Sequence, residues 1–155
     1  MTNTLFYDDH EKIVKNRAYS YSSDGKGYKK SVLSYANVGA TSLFTTVEDL
    51  ARWADKLNST DDEDLDIITK MNTKAKLNNG DEFGGAYGQF VNRYKGLNQI
   101  QHGGADAGYR SYLGRFPDQN FAVMVFSNYA NANPNNLALR VADVFLQDKM
   151  EGVQE

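Results

Sequence analysis

Four short segments rich in aromatic and β-branched residues follow one another in the second half of the 155-residue chain. They cover residues 87–94, 99–102, 109–116 and 121–127, and this composition favours β-strands. The turn-forming run Pro117-Asp118-Gln119-Asn120 separates the last two segments, so we predict an antiparallel hairpin there. Residues 121–126 (FAVMVF) are apolar at every position, which is typical of a central strand with a helix on each face.

A first helix is predicted before these strands. Leu50, Trp53, Ala54 and Leu57 recur at the spacing of one helix face, and Trp53 is assigned to the core. Thr45 and Glu48 have the spacing of a capping box at the start of this helix.

A second and a third helix complete the pattern. Leu65, Ile68, Met71 and Ala75 form the apolar stripe of the second helix. The acidic run 61–64 before it is interpreted as a solvated helix start and not as a metal site. Residues 136–147 carry apolar residues at helical spacing and form the third helix. The first 40 residues are expected to be extended loop, with a short strand near residues 18–21.

The order of these elements is loop, two helices, antiparallel strands and a C-terminal helix, which predicts an α+β fold. We expect one domain over residues 1–150 and a frayed tail at residues 151–155.

Composition excludes several classes of partner and site. The net charge of −3 gives no reason to expect nucleic acid binding, and no apolar run has the ~20 residues of a membrane helix. The chain has no Cys, so disulfides and thiolate metal sites are excluded. His10 lies among acidic residues in a polar segment that we interpret as a solvated loop. No metal and no cofactor are expected.

Three stretches, taken in order, resemble the second half of β-lactamase-related serine hydrolases, a group that includes class C β-lactamases, penicillin-binding proteins, D-aminopeptidases and esterases. The first is residues 1–6 (MTNTLF) with residues 17–21 (RAYSY). The second is residues 39–53 (GATSLFTTVEDLARW). The third runs from residues 87–90 (YGQF) through residues 102–111 (HGGADAGYRS) to residues 115–118 (RFPD) and 126–128 (FSN).

The resemblance implies a partial β-lactamase/transpeptidase-like fold, in which this chain supplies the last three strands of the antiparallel sheet, the C-terminal helix and part of the helical region. It implies no metal or cofactor. It also implies a small-molecule or peptide substrate for the parent protein, whose location we expect to be periplasmic or otherwise outside the cytoplasm.

The family's Ser-x-x-Lys and Tyr-x-Asn motifs are expected to lie outside this chain, before Met1. Ser23-Asp24-Gly25-Lys26 matches the first in letters but lies in a Gly-rich turn, whereas the reaction needs Ser and Lys one helix turn apart. Tyr35-Ala36-Asn37 and Tyr129-Ala130-Asn131 match the second motif at the wrong places in the order. We interpret all three as structural, so no nucleophile is expected in this chain.

The third family motif is present as His102-Gly103-Gly104. By the resemblance, His102 donates a hydrogen bond to the substrate or to the catalytic Tyr. Gly103 and Gly104 leave room for an acyl group, and the Ala105 N–H is one of two oxyanion donors. The alternative is that His102 ends a strand and the glycines form a turn.

Two functions are therefore compared. The chain is part of a serine hydrolase that acts on a β-lactam, a D-amino-acid peptide or an ester, and it is inactive alone. Alternatively, it is a non-catalytic module that binds a peptide by strand addition. In either case we expect self-association through an exposed sheet edge at residues 121–127.

Overall fold

The main element of the structure, a computed structural model, is a five-stranded antiparallel sheet. The structure describes residues 1–33, 37–59 and 62–152. The sheet has the strand order β11-β10-β9-β8-β7. Its strands are β7 (Gly85–Ala86), β8 (Gln89–Tyr94), β9 (Leu97–Asp106), β10 (Tyr109–Phe116) and β11 (Phe121–Ser127).

In the described ranges, three small two-stranded sheets and three α-helices accompany the main sheet. The small sheets pair β1 (Leu5–Phe6) with β4 (Leu43–Phe44), β2 (Ser20–Ser23) with β3 (Tyr28–Ser31), and β5 (Ala75–Lys76) with β6 (Glu82–Phe83). The helices are α1 (Val47–Asn58), α2 (Asp62–Asn72) and α3 (Pro134–Leu146). The α+β class and the antiparallel sheet are confirmed.

Helices cover both faces of the sheet. On one face, Ala138 and Ala142 of α3 are fully buried one helix turn apart, and they lie in clusters with Tyr112, Val123 and Phe116. Successive strand residues point to opposite faces, so Arg115 lies on the other face from Phe116. There Arg115 meets the end of α1. Both α1 and α3 contact β11, and this explains why residues 121–126 are apolar at every position.

The fully buried Arg115 connects the sheet with both helices of the helical region. Its guanidinium donates hydrogen bonds to the Leu57 carbonyl (3.0 Å) and to Asn58 Oδ1 (2.8 Å) at the end of α1. It also donates to Asn72 Oδ1 (3.0 Å) at the end of α2 and to Gln89 Oε1 (2.7 Å) at the start of β8. Burial lowers the pKa of Arg115 to about 10.

A second buried charge holds the N-terminal segment against α1. The Asp49 carboxylate, with no exposed surface, accepts hydrogen bonds from the Asn3 N–H (2.7 Å), Thr4 Oγ1 (2.8 Å) and Arg52 (2.6 Å). Burial alone would raise its pKa, but the hydrogen bonds from Thr4, Asn3 and Arg52 and the charge of the N-terminal amine together outweigh burial, and the pKa lies below its ordinary value.

Strands β10 and β11 have the predicted bounds, and the predicted hairpin joins them. Between them, residues 117–119 form a short 3-10 helix, and Asn120 is left-handed with φ 47°. The sheet has five strands and not three, because β7 and β8 add to the edge of β9. In this chain β11 is an edge strand, so the prediction of a central strand is wrong here. Its double-sided apolar pattern comes from the two helices and not from two neighbouring strands.

Several other predictions need correction. Trp53 is 42% exposed and does not belong to the core, because the buried stripe of α1 is narrow and centres on Ala54 and Leu57. The N-cap of α1 is Thr46, whose side chain accepts from the Asp49 N–H, and not Thr45. Helix α2 ends at Asn72, so Ala75 lies in β5.

Part of the acidic run lies outside the described residues, namely residue 61 and the side chains of residues 62–64. The last three residues of the predicted tail, 153–155, also lie outside the described part. In the described ranges, no helix combines the length and the apolar character needed to cross a membrane.

Candidate functional site

Strand β8 covers one edge of β9 for only half of the length of β9. Strand β8 pairs with it from Leu97 to Gln101, where the last partner is Phe90. On the other edge, β10 pairs with β9 from Ile100 to Asp106. Within the described residues, the segment from His102 to Ala105, called the free half of β9 below, therefore has a strand neighbour on one side only. Its second edge can accept hydrogen bonds from an extended ligand.

His102 is the first residue of this free half. Its side chain is exposed, and its ring is nearly parallel to that of Phe90, with 5.9 Å between the centroids and 19° between the planes. No residue in the described ranges forms a hydrogen bond with the imidazole. Both ring nitrogens are thus available to a ligand, while stacking on Phe90 limits the orientation of the ring.

Gly103 and Gly104 continue the strand, so the alternative interpretation of these residues as a turn is wrong. Both are exposed. Gly104 is paired with Ser111 on β10, and a Cβ at position 104 would overlap the Ser111 hydroxyl. At Gly103 the nearest atom to such a Cβ is the Ser111 carbonyl at 3.7 Å, an ordinary contact. The neighbouring atoms therefore require a glycine at position 104 but not at position 103.

The far end of the β9–β10 hairpin is fixed by β2. The Gly108 N–H donates to Ser20 Oγ at 3.1 Å, and a Cβ at position 108 would lie 2.8 Å from the backbone N and O of Tyr21. Tyr109 is bound as well, since its hydroxyl donates to the Ala18 carbonyl at 2.8 Å. These contacts hold the end of the free half of β9 in a fixed position.

Tyr112 is the phenol nearest to the glycines in the strand register, since it is paired with Gly103. Its side chain is 3% exposed, and its hydroxyl accepts a hydrogen bond from Gln99 Nε2 at 3.2 Å. Burial raises the pKa of Tyr112 to about 12, so this phenol stays protonated at neutral pH. It packs under α3 and is a core residue, not a proton carrier.

The segments that match Ser-x-x-Lys and Tyr-x-Asn in sequence, residues 23–26 and 129–131, lie in turns and at strand ends. Ser23 ends β2, and Gly25 and Lys26 lie in the turn to β3, where the backbone N–H groups of Lys26 and Gly27 bind Asp24. Ser23 and Lys26 are not on a helix, as predicted. Tyr129 follows β11 and forms an isolated bridge with Tyr21, while Asn131 donates to the Tyr129 hydroxyl at 3.3 Å. Of the third match only Asn37 belongs to the described residues.

The described part of the chain contains no group of three His, Asp or Glu side chains that could hold a metal ion. The site is thus built from one imidazole, two glycines and backbone groups of a strand edge.

These features can be compared with known proteins. A family model described as Beta-lactamase matches residues 1–146. The chain belongs to the beta-lactamase family. Among solved structures, it is similar to the octameric penicillin-binding protein homologue from Pyrococcus abyssi, with a TM-score of 0.79 and 23% sequence identity. The match covers 95% of this chain and 34% of that chain, so this chain spans about a third of the homologue's length. A comparison with curated proteins gives no match.

The beta-lactamase family assignment and the shared fold confirm the resemblance inferred from the sequence. Sequence reasoning missed two contacts of the His102-Gly103-Gly104 motif. Phe90 was quoted as part of a family motif and not as the stacking partner of His102, and the contact between Ser111 and Gly104 was not predicted. Both contacts join different strands, and the strand register that creates them cannot be read from one sequence.

Proposed function

We propose that this beta-lactamase-family chain supplies the sheet wall of a serine-hydrolase active site. The observation that carries the proposal is the free half of β9, where an exposed imidazole and two exposed glycines lie on an edge that β8 leaves uncovered. A strand edge of this kind can hold an acyl substrate in an extended conformation by backbone hydrogen bonds.

Each residue of the site has a role in the proposal. His102 donates a hydrogen bond to a substrate carboxylate or to a catalytic phenol, since its nitrogens have no partner among the described residues. Gly103 and Gly104 add no side chain to either face of the strand, so an acyl group can approach its backbone closely. The Ala105 N–H is one donor of the oxyanion hole, and the N–H of the nucleophilic Ser is the other.

The reaction proposed is hydrolysis through an acyl-enzyme. The Ser hydroxyl attacks the carbonyl carbon, the leaving group takes a proton, and water then releases the acid. The Ser-x-x-Lys and Tyr-x-Asn groups come from residues outside this chain, so the chain alone has no turnover. Two findings support this: the Ser23–Lys26 match lies in a turn, and the chain spans a third of its structural homologue. The substrate is a β-lactam, a D-amino-acid peptide or a small ester.

A second candidate rests on the same free edge. A peptide that adds to β9 beside residues 102–105 would be bound without any reaction, and the chain would then be a binding module. The two functions differ in what the coding sequence before Met1 holds. An in-frame Ser-x-x-Lys followed by Tyr-x-Asn favours the hydrolase, and a frame without them favours the module.

The decisive experiment is labelling with a fluorescent penicillin and a fluorophosphonate, followed by intact mass. It is made on this chain and on a version extended upstream in frame. We expect covalent labelling of the extended version only. Labelling of the short chain would show that one of its own Ser residues is the nucleophile. Absence of labelling in both versions would favour the binding module.

We also propose that the chain self-associates through β11. Residues 121–127 contain no charged residue and no Pro, the features that usually protect an edge strand. Beyond Ser127 the edge is occupied, since the Tyr21 N–H donates to the Asn128 carbonyl at 2.8 Å. Beside β11, α3 exposes an apolar stripe formed by Leu137, Val141, Val144 and Phe145. A second copy that pairs with β11 by two-fold symmetry would cover both surfaces.

A further inference from the structure

A cleft in the N-terminal region lies apart from the free half of β9. It has a volume of about 250 Å³. Its walls are the segment that follows β1 and the end of β3 with the residues after it. We call it the N-terminal cleft, and the residues that line it include Tyr7, Lys12, Arg17, Tyr19 and Lys30.

The N-terminal cleft carries an excess of positive charge. Lys12, Arg17 and Lys30 line it, and Glu11 is the one carboxylate among its lining residues. Neither Arg17 nor Lys30 forms an ion pair with any residue that the structure describes. Cations brought together without counter-ions repel one another, and an anion bound between them removes that repulsion.

Aromatic rings hold the two principal cations of the N-terminal cleft. The Arg17 guanidinium carbon lies 4.9 Å from the ring centroid of Phe44, 5.4 Å from that of Tyr7 and 5.6 Å from that of Tyr19. Lys30 Nζ lies 3.6 Å from the centroid of the same Tyr19 ring. Both cations therefore contact one ring, and a cation–π contact favours this position for each of them.

Arg17 uses only some of its N–H groups as hydrogen-bond donors within the described residues. Its Nε–H donates to the Tyr109 hydroxyl at 3.3 Å, and Nη1 donates to the Tyr7 hydroxyl at 3.4 Å. Nη2 has no partner in the described part of the chain. A guanidinium fixed on one side with free N–H groups on the other suits a planar oxyanion, because two donors can bind one carboxylate.

We propose that the N-terminal cleft binds a small carboxylate that carries an apolar substituent. Arg17 and Lys30 bind the carboxylate. The apolar part packs on Tyr19 and on the aliphatic lining residues, of which Ile13 is 90% exposed and Val32 is 68% exposed. An acid of this kind covers aliphatic surface that otherwise faces water.

This inference is independent of the proposed hydrolase. Arg17 contacts Tyr109, which is paired with Asp106, so the cleft lies beyond the end of the free half of β9. It uses neither His102 nor the glycines, and a ligand bound there needs no nucleophile.

The test uses the full 155-residue chain and N-acetyl-leucine as the probe, with binding followed by two-dimensional NMR. Its uncharged amide, N-acetyl-leucinamide, is the matched control ligand. We expect saturable shifts of the residues lining the cleft with a Kd of about 1 mM for the acid, and at least about tenfold weaker binding of the amide. Equal binding of acid and amide, or no saturable shift with the acid, would overturn the proposal.

A pair of variants locates the site. Lys30→Gln removes a cation that lines the cleft, and Lys29→Gln removes the same charge from the neighbouring residue of β3, which does not line it. Both side chains are exposed, so both variants are expected to fold. K30Q should weaken binding of N-acetyl-leucine about fivefold and K29Q less than about twofold. Equal effects of the two variants would show that binding elsewhere or general charge attraction is responsible.

Discussion

Gly104 on β9 lies directly opposite Ser111 on β10, and the Ser111 hydroxyl occupies the space that a Cβ at position 104 would need. We predict that Gly104→Ala lowers the free energy of unfolding by about 1 kcal/mol, because Ser111 must leave its rotamer. The double variant G104A with Ser111→Ala should recover that loss. Gly103→Ala is the control, since its Cβ meets only an ordinary contact. Urea unfolding measures all four proteins, and equal effects at positions 103 and 104 would contradict this account.

Removal of the buried Arg115 should strongly destabilise the chain. Arg115→Met leaves four oxygen acceptors without their donor, and we expect a loss of about 3 kcal/mol in the free energy of unfolding. Arg110→Met is the matched control, because Arg110 is partly exposed and, among the described residues, donates only to the carbonyls of Ala107 and Tyr109. It should cost less than about 1 kcal/mol. Similar losses in both variants would show that the Arg115 bonds contribute little.

The ion pair between Lys95 and Asp143 should make stability depend on pH in acid. Lys95 Nζ lies 2.6 Å from Asp143 Oδ1, and this bond, with that from the Tyr94 hydroxyl, holds the pKa of Asp143 below its ordinary value. The pair therefore stabilises the fold above about pH 4, and its contribution is lost as pH falls through the lowered pKa. Thermal unfolding of Asp143→Asn should show a loss of less than about 1 kcal/mol at pH 7.

The difference between wild type and D143N should shrink in high salt and vanish near about pH 2. Asp148→Asn serves as the control, since Asp148 is exposed and has no ion pair among the described residues. A difference that persists unchanged at low pH would mean that Asp143 acts through packing.

A charge on β11 should weaken self-association. Phe126 is 37% exposed on the edge strand, and Phe126→Lys places a cation where a second copy would pair. We expect light scattering to show a concentration-dependent increase in mass for the wild type and a monomer for F126K. Phe83→Lys, at a 52% exposed position on β6, removes a similar apolar surface elsewhere and should leave association unchanged. A monodisperse wild-type monomer would contradict the proposal.

Replacement of His102 should slow acylation in the upstream-extended version. His102→Ala removes the hydrogen-bond donor of the proposed site, and we expect the labelling rate with fluorescent penicillin to fall about 100-fold. The chain has two histidines, and His10→Ala is the matched control with no expected effect. Equal labelling rates of H102A and wild type would show that His102 does not take part in acylation.

The sequence was sufficient to predict the strands whose patterns are strong. Strands β10 and β11 are dense in aromatic and branched residues and are bounded by Pro117, so their limits could be predicted. The far half of β9 was missed because Gly103 and Gly104 have low strand propensity, and only pairing with β10 makes them extended. Trp53 was assigned to the core by spacing alone, but spacing identifies a helix face and not the depth to which a neighbouring element covers it.

The site was partly predictable for a similar reason. His102, Gly103 and Gly104 are consecutive in the chain, so this motif could be recognised from the sequence. Arg115 was quoted only as part of the third stretch that resembles the family. Its burial depends on the ends of α1 and α2 and the start of β8, which lie close together in space. Arg17 likewise meets rings from four separate segments of the chain.

Arg115 also limits how the molecule can deform. One rigid planar group binds the ends of α1 and α2 and the start of β8, so neither helix end can slide along the sheet without breaking a bond to it. The ends of both helices are therefore held to the sheet at Arg115, on the strand next to the one that carries His102. Any motion of the helical region relative to the sheet must begin away from these two helix ends.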